Sequence, residues 1–340
     1  MTPDLPPVAA VGGRLATGLV DVTSDLAALD GDGFWAVLLP YDGPPVCARF
    51  ANVRPSHGRP ARSWHGPRPD QWTSSLDRDQ FEGGVRAIRA AIAEGDVYQV
   101  NLTRRLSAPA PHDADVLALG ATLAGGNPAP YAGVLRLPAH GVHVASASPE
   151  RFLRRDGRRV ETQPIKGTAA TADGFLAKDR AENVMIVDLM RNDLGRVCEW
   201  GSVTVPTLCT VEEHPGLVHL VSTVRGELRA GVRWGDLIDA TFPPGSVTGA
   251  PKLAAMEMIG RLEPVERGPY CGALGWVDAD AGTGDLNVAI RTFWLEDGQL
   301  HLGTGGGITW DSDPTGEWNE TELKARRLLS VASASLAARM

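Results

Sequence analysis

CGALGWVDADAGTGDLNVAIRTFWLEDGQLHLGTGGGITW, residues 271–310, holds three strand-like runs: CGALGWVDA, LNVAIRTFWLED and QLHLGTGGGITW. Short turns rich in Gly and Asp separate them. Turns this short favour antiparallel pairing, because a parallel neighbour needs a crossover of a dozen or more residues. Similar runs occur upstream: GVLRLP, HVASASP, RFLRRDG, RRVETQPIKG, GSVTVPTL and LVHLVSTVRGEL. Helical patterns interrupt them at about 175–194, 234–241, 250–261 and 313–338. Another begins at Asp77, a candidate N-cap, and repeats Phe81, Val85, Ile88 and Ile92 before a stop at Gly95. Strands in groups with long helices set between them predict an α+β protein with mostly antiparallel sheets.

Residues 1–77 are rich in Pro, Gly and Arg, with a strand-like run at Phe34–Leu39 and a loop-like stretch from Arg54 to Asp70. They read as an edge layer of the same unit, followed by a main domain at 78–330 and a helix tail at 331–340. The strand VYQVNLTRRL (97–106) puts Gln99, Asn101 and Thr103 on one face. Such a polar face lines a site or meets solvent.

With 340 residues, 43% of them apolar and 22% charged, the chain has the means for a full core. The net charge of −8, without any Lys/Arg run, argues against nucleic-acid and membrane-surface partners. No apolar stretch of about 18 residues is present to span a bilayer, and the opening residues lack the basic leader of a signal peptide. Cys47, Cys198, Cys209 and Cys271 are scattered and form no C-x-x-C pair, which fits a reducing cytoplasm.

Of the 33 basic residues only Lys166, Lys178, Lys252 and Lys324 are lysine. A lysine can lose its proton and become a nucleophile where arginine cannot, so each survivor is a candidate for chemistry or a relic of composition. SPERF (148–152) places Glu150 just past a strand, and TQPIKGT (162–168) places Lys166 between Pro and Gly in a rigid turn. A carboxylic acid of raised pKa beside a desolvated, unprotonated lysine would make an acid and nucleophile pair; a surface ion pair has the same sequence. On the helix at 177–197 Asp179 and Glu182 share a face, and EWNETELKARRLL offers Glu317, Glu320 and Lys324 on another. Two such faces could hold Mg²⁺ through oxygen ligands, or could be ordinary solvated surfaces. GTGGGI (303–308) has the composition of an anion-binding nest without the lysine of a phosphate loop. FPPGSVTGAPK (242–252) resembles a loop that closes over a ligand, and His219 sits on a strand.

Together SPERF, PIKGT, KDRAENVMIVDLMRNDLGRV, HLVST, GSVTGAPK, AIRT, GGGI and NETELK, in this order, resemble the chorismate-utilising enzymes over about residues 78–330. That family includes anthranilate synthase, aminodeoxychorismate synthase, isochorismate synthase and salicylate synthase. The resemblance implies a chorismate-binding α/β sandwich of two large, mostly antiparallel sheets flanked by helices, with a shortened N-terminal layer here. It implies that Glu182 and Glu320 bind Mg²⁺ with support from Asp179 and Glu317. Tyr270, Arg291 and the backbone of Gly305, Gly306 and Gly307 would grip the enolpyruvyl carboxylate. Thr168, Ser246, Thr248, Gly249 and Lys324 fall in motif segments that would line the substrate, and His219 would flank the reacting ring.

Glu150 matches the general acid at the C4 hydroxyl. Gln99 stands where the isochorismate and salicylate enzymes carry a lysine base, so water addition is disfavoured. Lys166 stands where the anthranilate enzymes have alanine, and the 4-aminating enzymes have PIKGT. The resemblance thus implies amination at C4 through a covalent lysine adduct at C2, with ammonia from a separate glutamine amidotransferase subunit. The rival expectations are an anthranilate-type first component and a non-catalytic chorismate-binding paralogue.

Overall fold

The computed structural model describes residues 5–56, 63–169, 175, 177–214 and 217–333; within these, the side chains of residues 168, 169, 177–179, 213, 214, 217 and 219 lie outside the description. The first strands are β1 (Val8–Val11), β2 (Arg14–Thr23), β3 (Phe34–Leu39), β4 (Val46–Pro55) and β5 (Thr73–Ser74). After helix α1 (Arg78–Glu94) come β6 (Gln99–Pro109), helix α2 (Val116–Gly126), β7 (Tyr131–Leu137), β8 (Val142–Ser148), β9 (Arg151–Asp156), β10 (Arg159–Gln163) and β11 (Ile165–Ala169). Helix α3 (Ala177–Gly195) leads to β12 (Thr204–His214), β13 (Leu217–Glu227), α4 (Trp234–Thr241), β14 (Gly249–Ala250) and α5 (Lys252–Leu262). The chain continues with β15 (Ala273–Asp278), β16 (Thr283–Val288), β17 (Thr292–Glu296), β18 (Gln299–Ile308) and α6 (Pro314–Ala332).

Every strand pairing among the described residues is antiparallel, as the short turns predicted. One run of partners goes β6, β18, β17, β8, β7 and β1. It continues through β2, β4, β3, β15, β16 and β9 to β10, β13 and β12. Strands β1 to β4 therefore do not form an edge. β1 pairs with β7 and β3 with β15, so that segment joins the two large sheet regions from within.

The predicted helix at Asp77 forms for the stated reasons. Asp77 accepts from Gln80 N–H in a capping box, Phe81, Val85 and Ile88 are buried, and Gly95 ends the helix in the left-handed region. Helix α2 was not expected from its sequence, and its glycines explain why. A Cβ on Gly120 would lie 2.4 Å from Val134, and one on Gly126 would lie 2.6 Å from Val331. The helix is packed tightly against β7 and α6, so it carries small apolar residues instead of an amphipathic stripe.

Arg136 on β7 secures the start of α2. Its guanidinium donates to Asp115 at 2.5 Å and to the carbonyl of Pro6, with both charged side chains buried. Asp115 in turn caps α2 by accepting from Leu117 N–H. Arg136→Met leaves the Asp115 carboxylate buried without its cation. It is expected to cost about 3–5 kcal/mol, read from the shift of a urea unfolding midpoint.

Candidate active site

Lys166 does not lie in a turn. Pro164 breaks the predicted strand into β10 and β11, and Lys166 sits on β11 opposite Leu220 of β13, where the register slips around Gly167 (φ 74°). The extra residue of that bulge re-aims the side chain. The Lys166 amine donates to Glu182 Oε1 at 3.0 Å and to the Ser246 carbonyl at 3.2 Å. Gln99 donates its Nε2 to the same Glu182 oxygen at 2.7 Å. Three separate segments, β6, β11 and α3, thus meet at one carboxylate.

Burial alone would push the Lys166 pKa down, but Glu182, Glu150 and Glu320 together outweigh it and the net direction is upward. In place of the expected lowering, the surrounding carboxylates favour the ammonium form of Lys166. Glu150 is buried and its carboxyl is raised to about 7, chiefly by desolvation. Ser246, Lys166 and the N–H of Ile165 pull it partly back. A carboxylic acid that keeps its proton near neutral pH can serve as a general acid.

The glycine run is also different from expectation. Gly305, Gly306 and Gly307 lie inside β18, in register with Thr103, Leu102 and Asn101 of β6, and none is among the positive-φ glycines. They form a flat strand and not a nest. Their small size admits the charged groups instead. A Cβ on Gly307 would lie 1.9 Å from Gln99 Nε2 and 2.6 Å from Glu182 Oε1, and one on Gly306 would lie 3.3 Å from Glu317 Oε2 and 4.0 Å from Glu320 Oε1. Lys324 bridges Glu320 Oε1 at 2.7 Å and the Gly305 carbonyl at 3.0 Å. Glu317 is buried and accepts from Ser312.

Around this centre Thr248 is buried, its hydroxyl donating to the carbonyls of Pro244 and Gly245. Gly249 approaches so closely that a Cβ would meet the Gln99 carbonyl at 2.1 Å. Gln99, Asn101 and Thr103 are all buried, so that face of β6 is interior. Tyr270 is packed flat on Gly303, where a Cβ would lie 2.1 Å from the ring. Arg291 has a strained φ of 51°. Among the described residues no ion pair to its guanidinium is found, and burial lowers its pKa. A half-buried cation of that kind is suited to an anionic ligand. The side chains of Thr168, Asp179 and His219 lie outside the described residues.

Among the described residues no three acidic, His or Cys side chains converge as a ready-made metal cage. Two carboxylates, Glu182 and Glu320, both lie close to Lys166 and are neighbours of adjacent glycines. One or two carboxylates are what Mg²⁺ takes while keeping places for water and an anionic substrate, so the donor chemistry fits.

A family model described as chorismate binding enzyme matches residues 49–330. The chain belongs to the chorismate-binding enzyme family. It is 41% identical over 280 residues to anthranilate synthase component 1 1 of Haloarcula marismortui, covering 78% of this chain and 56% of that protein. It is 42% identical over 270 residues to aminodeoxychorismate synthase component 1 of Salmonella typhimurium, covering 76% and 58%. The chain thus spans little more than half the length of these relatives. Anthranilate synthase component I from Streptococcus pneumoniae superposes with a TM-score of 0.77 at 26% identity, over 96% of this chain and 91% of the other.

Two ion pairs escaped the sequence reading. Arg267 and Glu263 form a buried pair beside the site, and Asp193 on α3 holds Lys252 at 2.7 Å. Their charges in an otherwise apolar surrounding are a signal only once burial is known.

The raised carboxyl of Glu150 gives a stability prediction. The folded protein holds this proton more tightly than the unfolded chain. Its contribution is fully present below the ordinary value of 4.5 and is lost as pH rises through about 7. Glu150→Gln carries no charge at any pH. Relative to the parent it should gain about 2–3 kcal/mol between pH 5 and pH 8, measured by denaturant unfolding at the two pH values. Gly307→Ala should displace Gln99 from Glu182 without unfolding the chain, seen as intact far-UV circular dichroism with a local change at the site in amide exchange.

Proposed function

We propose that this chain is the chorismate-aminating component of an aminodeoxychorismate synthase. The observation that carries the reading is Lys166: a buried lysine beside an acid whose carboxyl titrates near 7. Overall identity does not separate the two named relatives, since 41% and 42% are equivalent. The residue that adds new chemistry decides instead.

Chorismate would lie with its enolpyruvyl carboxylate toward Tyr270 and Arg291 and its ring between Glu150 and Lys166. Mg²⁺, held by Glu182 and Glu320 with support from Asp179 and Glu317, would supply charge to bind the ring carboxylate. Glu150 gives its proton to the C4 oxygen, which leaves as water. Lys166, after its proton passes to water, attacks C2 as both conjugated ring double bonds shift by one position toward C4 and the C4–oxygen bond breaks. Ammonia then forms its bond at C4, the C2–nitrogen bond breaks, and the electron pair returns to Lys166. With C2 occupied, the incoming amine is directed to C4. The buried amide of Gln99 has no basic nitrogen with which to activate water.

Ammonia would come from a glutamine amidotransferase partner, which the designation of the relatives as a component leaves room for. No helix among the described residues is long and apolar enough to cross a membrane. All four cysteines are free thiols, which supports placing the protein in a reducing cytoplasm.

Incubation of the chain with chorismate, Mg²⁺ and excess ammonium, with products separated by mass, tests the proposal. The expected product is 4-amino-4-deoxychorismate without pyruvate release, and Lys166→Ala should reduce its rate by at least about 100-fold. Anthranilate with pyruvate would instead point to the rival first component. Undiminished 4-amino product from Lys166→Ala would rule out the covalent route.

A further inference from the structure

The loop at residues 245–251 supplies the Ser246 carbonyl that accepts from Lys166, and the Ser246 side chain is among the influences that lower the Glu150 pKa. Strand β6 supplies Gln99. One guanidinium binds both walls. Arg267, which is 3% exposed, donates from Nη1 to the Val247 carbonyl at 2.8 Å and from Nη2 to the Asn101 carbonyl at 2.7 Å. Val247 directly follows Ser246, and Asn101 lies two residues beyond Gln99. The remaining donors engage both carboxylate oxygens of Glu263, at 2.8 and 2.7 Å, and Glu263 accepts from the N–H of Thr103 on β6 at 2.8 Å. The Tyr41 ring lies 4.5 Å from the guanidinium. Direct backbone bonds from Asn101 N–H to Thr248 and from Tyr98 N–H to Ala250 complete the seam.

We infer that Arg267 is a positioning residue: it fastens the 245–251 loop to β6 so that Ser246 reaches Lys166 while Gln99 holds the Glu182 carboxylate that Lys166 shares. The inference rests on the function proposed above. Arg267 touches none of the reacting groups and acts through two carbonyls. Lysine cannot replace it, because a single ammonium lacks the planar fork that serves Glu263 and both carbonyls at once.

The groups that face Glu150 are Lys166 and the Ile165 N–H from β11, Ser246 from the loop, and the Cys271 thiol. Of these, Ser246 is the one that Arg267 holds. Loosening the loop therefore removes an influence that lowers the Glu150 pKa, and the inflection of kcat/KM near pH 7 should move upward.

The test uses the full chain with two variants, Arg267→Lys and the double variant Arg267→Met with Glu263→Gln. The double variant leaves no unpaired charge in the core, so it keeps the question open to measurement if a single truncation fails to fold. In both, kcat for chorismate amination should fall about 10- to 100-fold, with the chorismate KM changed less than about threefold. The pH inflection should rise, and amide exchange in residues 245–251 should quicken while α1 stays protected. Unchanged kcat and inflection, or a loss confined to KM, would overturn the inference. Should the parent chain not consume chorismate at all, the proposed function fails by itself and exchange alone decides: selective quickening at 245–251 upholds the positioning role, and its absence sinks it.

Discussion

The Lys166–Glu182 contact is the interaction on which the rest of the site depends. Its 3.0 Å distance brings β11 against α3, and Gln99 brings β6 to the same oxygen. An ammonium that is buried without a carboxylate would be lost to deprotonation or would pull water inward. Glu150 and Glu320 add to the negative surroundings, which explains why Lys166 stays charged in spite of burial. The site thus holds a buried lysine in place by surrounding it with carboxylates.

Such a concentration of charge needs room at the strand it rests on. The ladder of Gly305, Gly306 and Gly307 against Thr103, Leu102 and Asn101 provides it. Any side chain at Gly307 would occupy the space of the Gln99 amide and the Glu182 carboxylate. The glycines are thus needed for volume and not for backbone freedom, since their φ values stay out of the left-handed region. The same logic appears at Gly303, where the ring of Tyr270 lies flat on the strand, and at Gly120 and Gly126 of α2. In each case the missing Cβ belongs to the neighbour's shape.

This use of glycine marks the limit of what was legible in the sequence. Antiparallel pairing, α1, and the places of α3 to α6 followed from turn length, capping and period. That Glu150, Lys166 and Glu182 share one site was implied by the family resemblance of their motifs, and not by period or spacing. Three features did not follow. Helix α2 was invisible because its packing replaces amphipathic residues with small ones. The GGG run read as a nest because composition does not reveal φ. Lys166 read as a turn residue because Pro164 and Gly167 signal a turn, whereas here they end one strand and bulge the next. The central place of the first strands was likewise hidden, since pairing partners such as β1 with β7 are set by tertiary contact.

The scarcity of lysine acquires a physical meaning in this setting. Lys166, Lys252 and Lys324 each rest on a carboxylate: Glu182, Asp193 and Glu320. Yet only Lys166 has an acid with a near-neutral pKa close by. Lys252 joins the end of the 242–252 loop to α3 and to the Thr241 carbonyl, a task of attachment. Lys324 spans from Glu320 to the glycine strand. A compact ammonium on a flexible stem fits all three places better than a planar guanidinium with five donors to satisfy. Where a broad planar fork is needed, at the junction of β6 with the 245–251 loop, the chain uses Arg267 instead. The distribution of the two cations therefore follows geometry: arginine where one side chain must bind several carbonyls and a carboxylate, lysine where a single charge must be delivered to one carboxylate.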